Sequence, residues 1–283
     1  MLSRALLMLT LSCPPVARAA AAPNPDSQGV LTPGLLARLD ALADVGRMGE
    51  LAEVLERVAQ DRVTVRGAAP DSVPLDDILG EALRSLEGVE APVRTLAKAG
   101  GLYARLDRSD KALALLEPAL EEAKPGRGRI VLLFALAAAR IRADDEKVES
   151  YRAALPLYQE AAKLAGKSAV AGGLSEFGAG FAQWHLWVYG GRNEKDWSKA
   201  RVLCAGALHR ELPRPTVAAI ESVLGSLHAD HGDVREAREH SQQALDLLEE
   251  EQRAQEKASH RNARLDASIA VQRKMLSNLD SQR

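Results

Sequence analysis

Hydrophobic residues recur at helical spacing along the middle of this chain, and the clearest case predicts a pair of helices between residues 93 and 126. The first helix carries Leu96, Ala99, Gly100 and Tyr103 on one face, and the second carries Ala112, Leu116 and Ala119. Polar residues from 107 to 110 supply the turn, and Pro125 ends the second helix. Because small side chains let two helices approach closely, this segment is predicted to fold as a helix–turn–helix hairpin.

The same pattern returns between residues 217 and 250. Its first helix carries Leu224, Gly225 and His228, and its second carries Ala237 and Ala244. Gly232 is predicted to end the first helix in a left-handed conformation, while Asp233 and Glu236 form a capping box for the second. A second hairpin is therefore predicted here.

Two looser hairpins are predicted between these. One has Leu133, Leu136, Ala137 and Arg140 followed by Ala154, Tyr158 and Ala161; the other has Leu174, Phe177, Gly178 and Phe181 followed by Ala200, Cys204 and Ala207. If Ala112, Ala154, Ala200 and Ala237 are equivalent, the units repeat at steps of 42, 46 and 37 residues. The repeat is therefore degenerate.

These hairpins are similar to the tetratricopeptide signature W-x2-L-G-x2-Y…A-x3-F…P, with Leu96 in place of Trp and Leu116 in place of Phe. The strict family period is about 34 residues, so the longer steps here indicate the wider superfamily. The resemblance covers residues 93–251 and implies an all-α, right-handed α-solenoid of degenerate helix–turn–helix repeats. The resemblance also implies a concave surface that is suited to bind a peptide or a helix.

The flanking segments carry weaker patterns. Residues 29–92 are predicted to form N-terminal helices, with a hairpin over 35–60 and a further helix over 75–86. Residues 252–283 are predicted to form one long polar capping helix, whose apolar stripe is Ala258, Leu265, Ile269, Leu276 and Leu279. A partner-binding or coiled-coil helix is the alternative for this last segment.

Residues 1–28 have the pattern of a secretory signal peptide followed by a linker. Arg4 precedes an apolar run over 5–12, and Ala17-Arg18-Ala19 offers a cleavage site. The run is too short to span a bilayer, so no integral membrane span is expected. A periplasmic or secreted location follows, with a mitochondrial transit peptide or a lipoprotein signal ending at Cys13 as alternatives.

Composition excludes several classes of function. The chain is 46% hydrophobic but only 4% aromatic, and its formal net charge is −2 with acids and bases interleaved. A nucleic-acid partner needs clustered Lys and Arg on one face, so none is expected. With Cys13 in the leader, Cys204 has no partner thiol in the mature chain and is expected to be a small buried residue.

Two motifs suggest chemistry only superficially. Residues 161–168 (AAKLAGKS) fit a relaxed phosphate-loop pattern, but they end a predicted helix instead of linking a strand to one. His228 and His231, with Asp230 and His240 nearby, could suggest a metal site, but an interior histidine and a solvated turn residue that need not converge are expected. No catalytic, cofactor or metal site is predicted, and the chain is not expected to be an enzyme.

Six of the ten aromatic residues fall between residues 177 and 197, including all three tryptophans. They form either a locally thick core or a binding patch, with Trp187, Tyr189 and Trp197 the expected exposed members. The first helices of the hairpins add Arg140, Gln183 and His228 as expected partner contacts. The predicted function is an exported scaffold that binds a protein or peptide without a cofactor, and the alternative is an envelope accessory enzyme or small-ligand-binding protein with a site near 166–199.

Overall fold

The computed structural model describes residues 89–105, 108–143, 148–257 and 263–281, together with Ala37, Ala41, Leu42, Glu50 and Ala82. Nine helices are bounded within these residues, which contain no strand. They are α1 (Ala91–Arg105), α2 (Ser109–Glu122), α3 (Arg127–Ala143), α4 (Val148–Ala165), α5 (Ala169–Tyr189), α6 (Glu194–Leu208), α7 (Arg214–His231), α8 (Val234–Lys257) and α9 (Ala263–Asp280). The predicted all-α class is confirmed for this part of the chain. The predicted leader and nearly all of the N-terminal helices lie outside the described residues.

Each helix packs against the next one along the chain, and α1 also packs against α3. The hydrophobic core runs without interruption from α1 to α7 and consists largely of alanine, leucine and a few aromatic rings. Helix α3 contributes eleven buried residues, from Ile130 to Ile141. Small side chains permit this dense packing because they bring helix axes close together.

Glycines set the closest approach within three of the hairpins. A Cβ added to the glycine would lie 2.5 Å from a side-chain atom of the facing helix in each pair: Gly100 and Leu116, Gly180 and Cys204, Gly225 and Ser241. The sequence pattern of this hairpin includes Gly178, but the glycine of α5 that faces α6 is Gly180. Gly178 instead faces Tyr158 of α4, because α5 is packed between α4 and α6 and needs a small residue on each side.

The predicted helix ends are confirmed at two turns. Gly166 follows α4 with a φ of 56°, and the hydroxyl of Ser168 then accepts from the Ala171 amide at 3.3 Å to cap α5. The phosphate-loop-like segment is thus the junction between two helices. Gly232 ends α7 with a φ of 99°, in the left-handed region that only glycine adopts without strain.

The C-terminal segment differs from its prediction. The single helix expected over 252–283 is instead the end of α8 and the whole of α9, which lies antiparallel against α8. The apolar stripe is responsible: Leu265 and Ile269 pack back on Leu245 and bury a surface that a continuous helix would expose. None of the described helices is long and apolar enough to cross a membrane.

Candidate functional site

Aromatic rings, histidines and carboxylates from four helices meet where the α5–α6 turn lies beside the α7–α8 turn. We call this group the Trp–His cluster. Its members are Trp187, Glu194, Trp197, Glu221, His228, His231, Asp233 and His240. It gathers most of the described histidines and two of the three tryptophans of the chain.

Two short turns position the side chains of the cluster, one between α5 and α6 and the other between α7 and α8. Gly191 and Arg192 both adopt positive φ values, of 97° and 60°, and this turns the chain back after α5. The side chain of Asn193 then accepts from the Lys195 amide at 2.9 Å and caps α6. On the other side, Gly232 reverses the chain between α7 and α8 within two residues. Both turns are short, so the side chains at the helix ends are held close together.

The rings of the cluster form a continuous stack. Trp197 lies parallel to His231, with 3.9 Å between centroids and 16° between planes, and meets His228 edge-on at 5.8 Å. His228 stacks in turn on His240, with 5.4 Å between centroids. Trp187 approaches His231 from α5 at 6.0 Å. Such contacts contribute about 0.5–1.5 kcal/mol each beyond simple burial, so the stack joins α5, α6, α7 and α8.

Three carboxylates hold the imidazoles in place. The Nδ1 atoms of His228 and His231 lie 3.1 Å and 2.8 Å from the same Oδ2 atom of Asp233. Because a carboxylate can only accept, both Nδ1 atoms are the donors. Glu194 lies 3.3 Å from the Nε2 atom of His231, and a third pair joins His240 Nδ1 to Glu221 Oε2 at 2.6 Å.

Electrostatics in the cluster favour an ionised Asp233 and a neutral His228. Burial acts to raise the pKa of Asp233, but the hydrogen bonds from His228 and His231 outweigh it and lower that pKa below its usual value. Burial also lowers the pKa of His228, and the neighbouring His240 lowers it further, against the opposing effect of Asp233. The cluster therefore places aromatic rings beside an ionised carboxylate.

Arg192 fastens the α5–α6 turn to the end of α7. Its Nη1 donates to the carbonyl of Asp230 at 3.0 Å, and its guanidinium lies 5.0 Å from the ring centre of Trp187. Trp184 adds a second link, because its Nε1 donates to Asp230 Oδ2 at 3.1 Å. A non-glycine residue in the left-handed region costs energy, and these contacts hold Arg192 there.

The structure brings together three of the six predicted partner contacts: Trp187, Trp197 and His228. The expectation that Trp187 is exposed is wrong, because only 2% of its surface is accessible, and Trp197 is half-buried. His228 is buried, as an interior histidine should be. The expectation that His228 and His231 need not converge is also wrong, since both contact Asp233. Sequence spacing alone could not show that the turn folds both rings back on one carboxylate.

The other three predicted contacts lie apart from the cluster. Arg140 is partly exposed and forms an ion pair with Glu117 of α2. Gln183 is buried at 5% exposure, so its amide is not available to a partner in this conformation. Tyr189 is 43% exposed and stacks on Tyr151 of α4, with 5.8 Å between centroids. Of the six, Tyr189 is the most accessible aromatic side chain.

A second aromatic group surrounds His185 on α5. Its ring stacks on Tyr151 with 4.4 Å between centroids and lies 4.3 Å from Phe181. Burial lowers the pKa of His185 to about 4, although the hydrogen bond from its Nδ1 to the Phe181 carbonyl opposes the shift. This group is a locally thick part of the core, which was one of the two interpretations of the aromatic residues. Tyr189 extends the group to the surface.

Among the described residues, no group of three or more His, Cys, Asp and Glu side chains is arranged to hold a metal ion. No family model matches this chain, and searches of curated proteins and of solved structures give no match either.

Proposed function

We propose that this chain is an exported, non-enzymatic scaffold that binds a peptide or helix of a partner protein. In this proposal its hairpins are tetratricopeptide-like and stack as a right-handed α-solenoid. The support comes from the internal geometry of the hairpins and from the accessible side chains at their ends.

The observation that carries the proposal is a contact repeated in two hairpins. A Cβ on Gly180 would lie 3.0 Å from the Cys204 nitrogen and 3.2 Å from the Ala200 carbonyl oxygen. A Cβ on Gly225 would meet the equivalent atoms of Ser241 and Ala237 at 3.2 Å and 3.3 Å. The two hairpins thus reproduce the same backbone approach at the same register, 45 residues apart along the first helices. Duplicated hairpin geometry is typical of repeat scaffolds, whose function is to present an extended surface.

Exposure divides the predicted contacts into two groups. Tyr189, Trp197 and Arg140 have accessible surface and can touch a partner directly. Gln183, Trp187 and His228 are buried, and the last two hold the Trp–His cluster in shape. Because tyrosine and tryptophan concentrate binding energy at interfaces, Tyr189 and Trp197 are the expected anchors.

The test uses the chain from residue 29 onward and a phage-displayed library of random peptides. Selected peptides are expected to bind in a fluorescence anisotropy assay, and Tyr189→Ala is expected to weaken binding at least about tenfold, the loss typical of an interface anchor. Val202→Ala is the matched control, because Val202 of α6 is 61% exposed and lies outside the predicted surface. Failure to select any peptide, or equal binding by the Tyr189 variant, would contradict the proposal.

A specific observation also supports the alternative function, a small-ligand site near residues 166–199. The indole nitrogens of Trp187 and Trp197 are buried and have no hydrogen-bond acceptor among the described residues. A buried donor without an acceptor costs free energy that a polar ligand could recover. A thermal-shift screen of small polar metabolites separates the two functions: stabilisation that is lost in Trp197→Phe favours the ligand site.

Export is tested separately from binding. Cell fractionation should find the full chain outside the cytoplasm, and a chain that lacks residues 1–28 should stay in the cytoplasm. Equal distribution of the two chains would contradict the proposed leader.

A further inference from the structure

The junction between the α5–α6 hairpin and the α7–α8 hairpin is the least extensive one in the described part of the chain. Helix α6 makes less contact with α7 than any other described helix makes with the helix that follows it, and α5 touches α7 only at a few places. Within each of the two hairpins, by contrast, the helices pack extensively on each other. Individual links that cross this junction therefore matter for how firmly the two hairpins are joined.

His231, the last residue of α7, lies at the centre of these links. Its ring is stacked on Trp197 of α6, and each of its two nitrogens faces a carboxylate. Nδ1 lies 2.8 Å from Oδ2 of Asp233, which belongs to the same hairpin as His231. Nε2 lies 3.3 Å from both carboxylate oxygens of Glu194, the first residue of α6. The two nitrogens thus face acids on opposite sides of the junction.

Only a protonated His231 can bond to both acids. A neutral imidazole carries one N–H and one bare nitrogen that can only accept, whereas an imidazolium donates from both nitrogens. The contact with Asp233 is the shorter of the two, so the single proton of the neutral ring is on Nδ1. Nε2 then turns a lone pair toward Glu194, which is also only an acceptor. The link across the junction therefore requires the second proton.

Charged groups surround His231 on every element that packs against it. The guanidinium groups of Arg192 and Arg201 lie over the rings of Trp187 and Trp197, at 5.0 Å and 5.2 Å from their centres. Within the described part of the chain, the Glu194 carboxylate has hydrogen bonds to His231 alone. The α7–α8 hairpin contributes the remaining titratable groups, which are His228, Asp230, Asp233, Glu236 and His240. His231 is thus the donor on which Glu194 depends.

We propose that His231 is a proton-operated latch between the two hairpins. The imidazolium ties Glu194 of α6 to Asp233 of the α7–α8 turn, and the neutral ring releases Glu194. Acidification therefore tightens this junction, and a rise in pH loosens it. The proposal does not depend on the scaffold function.

The latch acts on stability with the opposite sign to the buried histidines. A bond that needs the protonated ring stabilises the fold at low pH, and this stabilisation is lost as the pH rises. Burial lowers the pKa of His185 to about 4 and also lowers the pKa of His228, so both of these residues destabilise the fold in acid. The pH dependence of the parent chain mixes these effects. A comparison between variants at fixed pH isolates the latch.

The first experiment replaces Glu194 by its amide. In Glu194→Gln, the side-chain N–H can donate to the bare Nε2 of the neutral ring, and the side-chain oxygen can accept from the imidazolium. Urea titrations are made at about pH 5.5 and about pH 8.5, on either side of the usual histidine range. Relative to the parent, we expect the variant to be less stable at the lower pH and equally or more stable at the higher one. The ratio of the two folding equilibrium constants should change about two- to fivefold between these pH values, as is typical of a partly exposed ion pair.

Two controls show whether this change belongs to His231. In a His231→Gln background, Glu194→Gln should have the same effect at both pH values. Glu176→Gln is the matched control, because Glu176 pairs with Arg210 at 2.5 Å and an arginine stays charged throughout this range. Its effect should also be independent of pH. A pH-independent effect of Glu194→Gln in the parent would overturn the proposal, and so would a pH dependence that survives in the His231→Gln background.

The second experiment observes the ring and the junction directly in the full chain. Long-range proton–nitrogen NMR correlations should show a protonated Nδ1 and a bare Nε2 on His231 at high pH, and two protonated nitrogens at low pH. Amide hydrogen exchange at the start of α6, divided by exchange in α3 to remove the intrinsic effect of pH, should slow about two- to fivefold on acidification. It should not do so in Glu194→Gln. A proton on Nε2 alone at high pH, or an exchange ratio that pH leaves unchanged, would overturn the latch.

Discussion

The indole of Trp197 lies parallel to the imidazole of His231, and the two ring centroids are 3.9 Å apart. Trp197 belongs to α6 and His231 is the last residue of α7, so this contact joins consecutive hairpins. His231 is at the same time held by Asp233 and Glu194. The stack therefore depends on residues from both sides of the junction between the hairpins.

A double-mutant cycle on this stack should measure a favourable coupling. The variants are Trp197→Leu, His231→Gln and the two combined, with the free energy of unfolding taken from urea titrations. We expect a coupling of about 0.5–1.5 kcal/mol, because stacked rings contribute this much beyond burial. Additive effects of the two substitutions would show that the stack does not stabilise the junction.

Gly225→Ala should destabilise the fold. The new Cβ would lie 2.5 Å from the Ser241 hydroxyl and 3.2 Å from the Ser241 nitrogen, and the backbone atom cannot move without separating α7 from α8. We expect a loss of about 1–3 kcal/mol in the free energy of unfolding, the usual cost of overpacking.

Gly206→Ala is the matched control for this substitution. Its new Cβ would meet only a carboxylate oxygen of Glu176, at 3.7 Å. The higher helix propensity of alanine should then stabilise the chain by about 0.5–1 kcal/mol. If both substitutions shift the urea midpoint in the same direction, the close approach at Gly225 is not what limits the packing.

His185 should make the fold sensitive to acid. Its pKa is about 4 in the folded chain and about 6.5 when unfolded, so the native state binds fewer protons between these values. Stability is then fully present above about pH 6.5 and falls as the pH drops, by up to about 1.4 kcal/mol per pH unit. His228 acts in the same direction, because burial lowers its pKa too.

His185→Phe isolates the contribution of His185. It retains an aromatic ring against Tyr151 and removes the titrating group. Urea titrations across this pH range should show a smaller loss of stability in the variant than in the parent. An unchanged pH dependence would assign the acid sensitivity to other groups.

Cys204 should be unreactive until the protein opens. Its side chain is fully buried, and burial raises the pKa of the thiol to about 12, so almost no thiolate forms near neutral pH. In a Cys13→Ser chain, we expect a thiol reagent to react at least about a thousandfold more slowly than with the unfolded chain, because full opening of a domain costs ~5 kcal/mol or more. Fast labelling without loss of helical signal would contradict the burial of this residue.

Hydrophobic spacing by itself determined the all-α class, and glycines marked two of the helix ends. Gly166 and Gly232 were recognisable as helix ends because a left-handed residue after a helix is nearly always glycine. The alanines at 112, 154, 200 and 237 were recognisable as buried because one face of an amphipathic helix must pack against a neighbour. These are local properties, so the sequence carries them directly.

Tertiary structure decided what depends on contacts distant along the chain. Gly180 instead of Gly178 faces α6, since α5 touches a helix on each side and its rotation follows from both. The burial of Trp187 and the convergence of His228 and His231 on Asp233 require two turns to lie side by side. Helix α9 folds back against α8 because burial of its leucine face is more favourable than a helix that continues into solvent. The sequence alone does not show the packed surface of α8 on which this burial depends.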